Sequence, residues 1–370
     1  LRDFDFGRRV PYPFFNTVII QSRGISREES MDIEKLLQRF GRVSLTPLPT
    51  PLEYAENLTK LLGGPKIFFK RDDCTALAFG GNKTRKLEFV MADAISKNAD
   101  VMITIGGLQS NWARQMASAA RRFGMDVILI LEGNEPEEYQ GNLLLDYMMG
   151  CELRFQQITQ EEEDKEIQGE CPITGKVAEE IRRKNRTPYV APLGAASPLG
   201  NLGYISAVSE IREQLDQMGI EANHIVLATG TGGTQAGIEL GVRLLEMKTK
   251  IIGISISRHT REKVDEIAEL CNKTIDFLGV KDLSINASDL IVTYDYVGDG
   301  YAVPTDECIE AIRTTAKTEG IILDPVYSGK AMAGLMDLIR KNSLKRNENV
   351  VFVHTGGGLA NFAYNKIFRG

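Results

Sequence analysis

The order of the apolar runs constrains this chain more than any other feature. Short segments rich in branched aliphatic residues recur at Lys66–Lys70, Val101–Gly106, Met125–Leu131, Cys151–Phe155, His224–Gly230, Ile251–Ile256 and Val350–Gly358. Between them lie stretches with helical spacing, such as Asn111–Phe123, where Ala113, Met116, Ala117 and Ala120 share one side. Continuous apolar strands are buried on both faces, and helices joining them form crossover units. The expected fold class is therefore α/β, with open, mostly parallel sheets and flanking helices. A helix near Glu28–Phe40, a short one ending at Gly63-Gly64 and one over Lys176–Lys184 are also expected, while the acidic run at 160–170 reads as a solvated insertion or a helix start.

A parallel sheet presents ligands to the carboxyl ends of its strands. Three such ends carry Gly/Ser/Thr loops, at Gly106–Asn111, Thr229–Gly237 and Thr355–Gly358. The length of 370 residues fits two domains or one large α/β unit. A net charge of −6 gives no nucleic-acid footprint, and no run of 18 apolar residues provides a membrane span. Five cysteines with no C-x-x-C pair point to a reducing compartment, and three widely spaced histidines make a metal site unexpected. The chain starts at Leu1, so a removed targeting segment stays open.

Four segments carry chemistry. In Thr229–Gly237 (TGTGGTQAG), backbone N–H groups at a helix start make an anion cradle, to which Thr231 and Thr234 add hydroxyls. Neither the Walker nor the dinucleotide fingerprint fits, so a monophosphate suits the loop best; the alternative is a tight turn without a ligand. In Phe79–Phe89 (FGGNKTRKLEF), Lys83 opens a helix beside Arg85 and Lys86. Helix dipole and neighbouring cations favour its neutral amine, the form that makes a Schiff base; the alternative is a surface lysine in a basic patch. In Gly106–Gln115 (GGLQSNWARQ), Ser110 and Asn111 either cap the helix or bind a carboxylate, and Trp112 is a pocket wall or core. Tyr301 follows the glycine loop of YDYVGDGYAVP, and Tyr327 and Ser328 lie in DPVYSGKAMAG; tyrosines in loops are either packing residues with a wet end or site residues.

Together with LPTPLEY and KRDD, and with HTGG near the end, these motifs resemble the D-cysteine desulfhydrase / 1-aminocyclopropane-1-carboxylate deaminase family, within the tryptophan-synthase-β-like (type II) pyridoxal-phosphate enzymes. The resemblance runs from about Phe40 to Arg369. It implies pyridoxal 5'-phosphate on Lys83, Asn82 at the ring hydroxyl, and phosphate held by Thr231, Gly232, Gly233 and Thr234. It implies further that Ser110 and Asn111, flanked by Gln109 and Trp112, meet the substrate carboxylate, and that Tyr301 and Tyr327 line the substrate side. A homodimer in the cytoplasm is implied the same way, with a large cofactor domain (1–85 and 201–370, residues 1–38 an extension) and a small domain (86–200).

Two positions depart from the deaminase pattern. Ser328 stands where ring-opening deaminases carry glutamate facing the pyridine nitrogen, and Trp112 where many members have histidine. A hydroxyl at 328 weakens the electron sink that ring opening needs and suits β-elimination. The expected activity is β-elimination from a small β-substituted amino acid, first D-cysteine desulfhydration to pyruvate, sulfide and ammonia. Other readings are an L-cysteate sulfo-lyase or other C–S lyase, an aminocyclopropane-carboxylate deaminase, a racemase, or a cofactor-binding protein without turnover.

Overall fold

The computed structural model describes residues 33–257 and 261–369. Residues 1–32, most of the expected N-terminal extension and the start of the helix placed near Glu28–Phe40, lie outside the described residues; within them that helix spans Ile33–Leu37.

Among the described residues, ten strands form two sheets. The larger has the order β1-β2-β10-β7-β8-β9, from Leu52–Tyr54 (β1), Lys66–Lys70 (β2), His224–Thr229 (β7), Lys250–Ser255 (β8), Ile291–Thr293 (β9) and Asn349–Val353 (β10). The smaller has the order β5-β4-β3-β6, from Val101–Gly107 (β3), Asp126–Glu132 (β4), Glu152–Gln156 (β5) and Pro188–Val190 (β6). Every pairing is parallel except β1 with β2. The three strands without a sequence signal, β1, β6 and β9, are three-residue edges too short to show a period. The final apolar run ends as a strand at Val353, because Gly356 and Gly357 turn to φ +89° and +96°.

Six helices build the site: α1 (Lys83–Ser96), α2 (Asn111–Arg122), α3 (Gly141–Met148), α4 (Pro198–Met218), α5 (Gly233–Leu244) and α6 (Ser328–Arg340). The acidic segment becomes a helix, Gln160–Gln168, whose start is a capping box between Thr159 and Glu162. Helix α1 joins the two sheets. It gives Phe89 to the core of the larger sheet and Leu87, Val90 and Met91 to the core that packs α2 on the smaller one. Each such apolar side chain withdrawn from water contributes on the order of 1.5–3 kcal/mol, so α1 is held from both sides. No helix among the described residues is long and apolar enough to cross a membrane.

Candidate functional site

The register fixes where the loops meet. Val353 pairs with Lys70, and β7 runs beside β10 in parallel, so the segments after β2, β7 and β10 leave the sheet at one edge. After β2 the chain turns through Gly80 (φ +72°) and Gly81 (φ +134°). A Cβ on Gly80 would lie 2.1 Å from the Asp73 carbonyl oxygen, and one on Gly81 2.5 Å from Gln115 Nε2, so neither position admits a side chain. The turn lets Asn82 N donate to the Thr355 carbonyl (3.0 Å) and starts α1 at Lys83.

Lys83 is partly accessible, yet the protein around its amine moves the pKa down to about 8, because desolvation disfavours the ammonium form. This corrects the sequence-based cause: the Arg85 guanidinium is neutralised by Asp72 (2.8 Å) and Glu210 (2.8 Å). Burial, not a cationic neighbour, prepares this amine.

The loop after β7 shows why it needs glycine. Gly232 sits at φ +83° as the N-cap of α5, and a Cβ on Gly233 would lie 2.8 Å from Lys86 Nζ and 2.9 Å from Ala196 Cα. Asn82 Nδ2 donates to Thr234 Oγ1 (3.0 Å), tying the lysine turn to this loop. Gly194, in the turn before α4, completes the enclosure: a Cβ there would lie 3.0 Å from Thr231 Oγ1 and 3.8 Å from Lys83 Cε. Lys86 is fully buried and donates to the Gly194 carbonyl (3.2 Å). Desolvation, with Lys83 next, pushes its pKa well below the ordinary lysine value. A buried amine that an anion would recharge, beside the N–H donors of a helix start, suits a group of phosphate size, so the residues present fit pyridoxal phosphate. Gly194 escaped the sequence reading, and Lys86 entered it only as part of the basic run beside Lys83; its place one turn past Lys83, on the same helix face, was the available signal.

Ser110 caps α2, accepting from Ala113 N (3.1 Å), and Asn111 follows it; both are buried, at 7% and 9% exposure. Gln109 uses its amide elsewhere: Oε1 accepts from Asn142 N (2.9 Å) and Nε2 donates to the Gln140 carbonyl (3.0 Å). Trp112, placed by sequence in the substrate-binding set, lies in the core between α2 and the smaller sheet, at 2% exposure. Its indole N–H donates to Thr104 Oγ1 (2.8 Å), so of the two readings the structure supports core rather than pocket wall.

Tyr301 and Tyr327 meet. Their hydroxyls lie 2.7 Å apart and their rings are edge-on at 6.1 Å. Lys330 brings them together: from the first turn of α6 its buried ammonium donates to the Val297 (2.7 Å) and Gly300 (2.8 Å) carbonyls and holds the loop that carries Tyr301. Desolvation raises Tyr301 to about 12, although its ring stays 46% exposed, and raises Tyr327 further, so both hydroxyls keep their protons at neutral pH. The Tyr327 ring reaches the phosphate-side loop, 3.8 Å from a Cβ built on Gly230. Ser328 is fully buried; its hydroxyl accepts from Asp324 N (2.8 Å) and donates to Asp324 Oδ1 (2.5 Å). The Asp324 carboxylate also accepts from the N–H groups of Val326, Tyr327 and Ser328. That carboxylate builds the turn, and the group left at position 328 is a neutral hydroxyl. Beside it, desolvation lowers the pKa of buried His354, and Nδ1 accepts from Gly356 N (3.3 Å), which fixes the Nε2–H tautomer toward the Ile322 carbonyl.

The model of the family described as "Pyridoxal-phosphate dependent enzyme" matches residues 43–356. The chain belongs to that family. A Pyrococcus furiosus protein, described provisionally as a 1-aminocyclopropane-1-carboxylate deaminase, is 43% identical over 332 residues, which cover 90% of this chain and 96% of that one. A Klebsiella pneumoniae D-cysteine desulfhydrase is 39% identical over 335 residues, covering 89% and 98%. The crystal structure of an aminocyclopropane-carboxylate deaminase homologue superposes with a TM-score of 0.82 at 40% identity, over 90% of this chain and 97% of that one. The fold is thus the tryptophan-synthase-β-like, type II arrangement expected from the sequence. The activity follows at a coarser level: a pyridoxal-phosphate-dependent enzyme of the lyase and deaminase group, acting on small amino acids.

Proposed function

We propose that the protein catalyses β-elimination from a small β-substituted amino acid, with D-cysteine as first substrate and pyruvate, sulfide and ammonia as products. The observation that carries this reading is the neutral Ser328 hydroxyl, with its proton engaged by Asp324, at the position where ring opening calls for a carboxylate. The likeness to a D-cysteine desulfhydrase supports it. Pyridoxal phosphate, anchored by residues 231–234 and Lys86, supplies the electron sink for the Cα–H bond.

Each residue then has a task. The Lys83 amine, with a pKa near 8, is substantially neutral close to that pH and takes the Cα proton. Ser110 and Asn111 orient the substrate carboxylate. The Tyr301–Tyr327 pair, protonated throughout the neutral range, delivers a proton to the departing sulfur. A cytoplasmic homodimer with the large and small domains set out above belongs to the same proposal.

The rival that a specific observation favours is cyclopropane ring opening, through the 43% identical Pyrococcus protein. One assay separates them: pyruvate release from D-cysteine, L-cysteine, L-cysteate, β-chloro-D-alanine and D-serine, beside 2-oxobutyrate release from 1-aminocyclopropane-1-carboxylate. Pyruvate and sulfide from D-cysteine, abolished by Lys83→Ala, is the expected result. Release of 2-oxobutyrate alone would overturn the role given to Ser328.

A further inference from the structure

Asn142 is fully buried on α3, on the smaller-sheet side of the cleft, and none of the tasks above uses it. It grips the Gln109–Asn111 turn at three points. Its backbone N–H donates to Gln109 Oε1 (2.9 Å), and its Nδ2 donates both to the Gln109 carbonyl (2.8 Å) and to Asn111 Oδ1 (2.9 Å). The approach is close enough to exclude a side chain at Gly141, where a Cβ would lie 2.4 Å from Gln109 Oε1 and the backbone sits at φ +54°.

The orientations of both amides follow from groups that have only one role. A backbone carbonyl accepts only, so the end of Asn142 facing Gln109 O must be its NH2 group. The other hydrogen of that group then points at Asn111, whose facing atom must be its oxygen. Arg114 settles the matter from a second side: a guanidinium donates only, and its Nη2 lies 3.4 Å from the same Asn111 Oδ1. With its oxygen held by two donors, Asn111 turns its NH2 group the other way. That group faces the loop after β10, 3.0 Å from a Cβ built on Gly357; two residues earlier in the same loop, the Thr355 carbonyl accepts from Asn82 N.

We infer that Asn142 is a positioning residue that fixes Asn111 with its amide N–H donors toward the cleft, so that the turn recognises an anionic carboxylate. This rests on the reading of Ser110 and Asn111 as the carboxylate-binding pair. Without the clamp, Asn111 Oδ1 keeps only the long 3.4 Å contact from Arg114, so the amide can turn its oxygen to the cleft, where it repels a carboxylate and accepts from a neutral amide instead.

The test compares D-alanine with D-alaninamide, which lack a β-leaving group, by titrating each into the holoenzyme and following cofactor absorbance. Asn142→Asp places an acceptor against the Gln109 carbonyl and Asn111 Oδ1; Asn142→Ser removes the side-chain grip without adding a charge. Loss of one oriented hydrogen bond to a charged group corresponds to on the order of 10- to 100-fold in affinity. Both variants are expected to lose that much for D-alanine and less than about threefold for D-alaninamide, with wild-type cofactor content after borohydride trapping on Lys83. An unchanged preference for acid over amide in both variants, or equal weakening of both ligands, overturns the inference while leaving the proposed function standing. A wild-type protein that responds to neither ligand overturns the amino-acid reading itself, and this inference with it.

Discussion

Replacing Glu210 by glutamine tests whether the charge network behind Lys83 holds the site together. Two cations, Lys70 and Arg85, face two carboxylates, Asp72 and Glu210; the first three are fully buried and the Glu210 side chain is 13% exposed. Glu210 accepts from both Arg85 terminal nitrogens (3.0 and 2.8 Å), from Thr50 N (2.9 Å) and from Lys70 Nζ. Glutamine keeps the shape and one acceptor but leaves the cluster one positive charge in excess. Breaking a buried pair from one side costs about 3–5 kcal/mol, and the retained acceptor places this change near the lower end. Unfolding entropy for a chain of this length is roughly 0.8 kcal/mol/K, so about 3 kcal/mol lowers Tm by about 4 °C if the chain melts as one unit. The deficit carries a pH signature. Desolvation already holds the Lys70 pKa below its ordinary value, and Glu210 is the first group supporting its charge. A lysine with a lowered folded pKa binds fewer protons folded than unfolded, so stability rises with pH between the folded value and about 10.5. Without Glu210 that window widens downward, and the deficit of Glu210→Gln shrinks from pH 7 to pH 9.5. Calorimetry across that range is the assay. A Tm within 1 °C of wild type (~0.8 kcal/mol), or a deficit that does not change with pH, would refute the reasoning.

Three other outcomes are expected. Lys330→Met frees the Val297 and Gly300 carbonyls, so kcat should fall about tenfold or more with cofactor content unchanged; an unaltered rate would show that the Tyr301 loop needs no clamp. Tyr301→Phe should slow D-cysteine turnover by roughly 100-fold, as loss of a general acid does, yet barely affect β-chloro-D-alanine, whose chloride departs without a proton; equal losses on both would remove Tyr301 from proton delivery. Asp146 is a fully buried carboxyl without a hydrogen-bond partner, and burial raises its pKa well above the usual range. An acid with a raised folded pKa loses stability as pH climbs past about 4, so Asp146→Asn should gain about 1–2 kcal/mol at pH 8 relative to its effect at pH 4; chemical denaturation at both pH values decides it.

The long strands and the loops at their ends were legible because burial on two faces writes itself as an unbroken apolar run. His224–Thr229 and Val101–Gly107 differ from the sequence reading by one residue at an end. The edges were not legible: Pro188–Val190 is a strand only because Val101–Ile103 lies beside it. The site divides the same way. Lys83, Asn82 and the 231–234 loop announce themselves by their unusual company, while Trp112 drew attention by rarity and proved to be packing. Asn142 and Gly194 carry no local signal, since each matters only through a segment more than thirty residues away. The pKa of Lys83 shows the limit most directly: a neutral amine was expected from cationic neighbours, but sequence could not show that Arg85 spends its charge on Asp72 and Glu210.

Lys86 supplies the sharpest link between that electrostatics and cofactor binding. Of the three basic residues in one turn of α1, Lys83 borders the cleft, Arg85 meets two carboxylates, and Lys86 meets a carbonyl, with no carboxylate acting on it. Its lowered pKa means that burial favours the neutral amine here far more than water does for a free lysine. A phosphate dianion at the loop restores the charged form, so binding takes up a proton. Between the free and bound pKa values, affinity must then fall by up to about tenfold per pH unit. Above pH 7 the phosphate itself is already mostly a dianion, which confines the slope to protein groups. Lys86→Met should therefore weaken cofactor binding and also flatten its dependence on pH between 7 and 9, leaving only the contribution of Lys83. Equilibrium dialysis of the cofactor, with inorganic phosphate as a competitor blind to Lys83 imine chemistry, measures both slopes. Parallel pH profiles for wild type and Lys86→Met would show that this lysine is charged before the phosphate arrives, and that burial does not govern it.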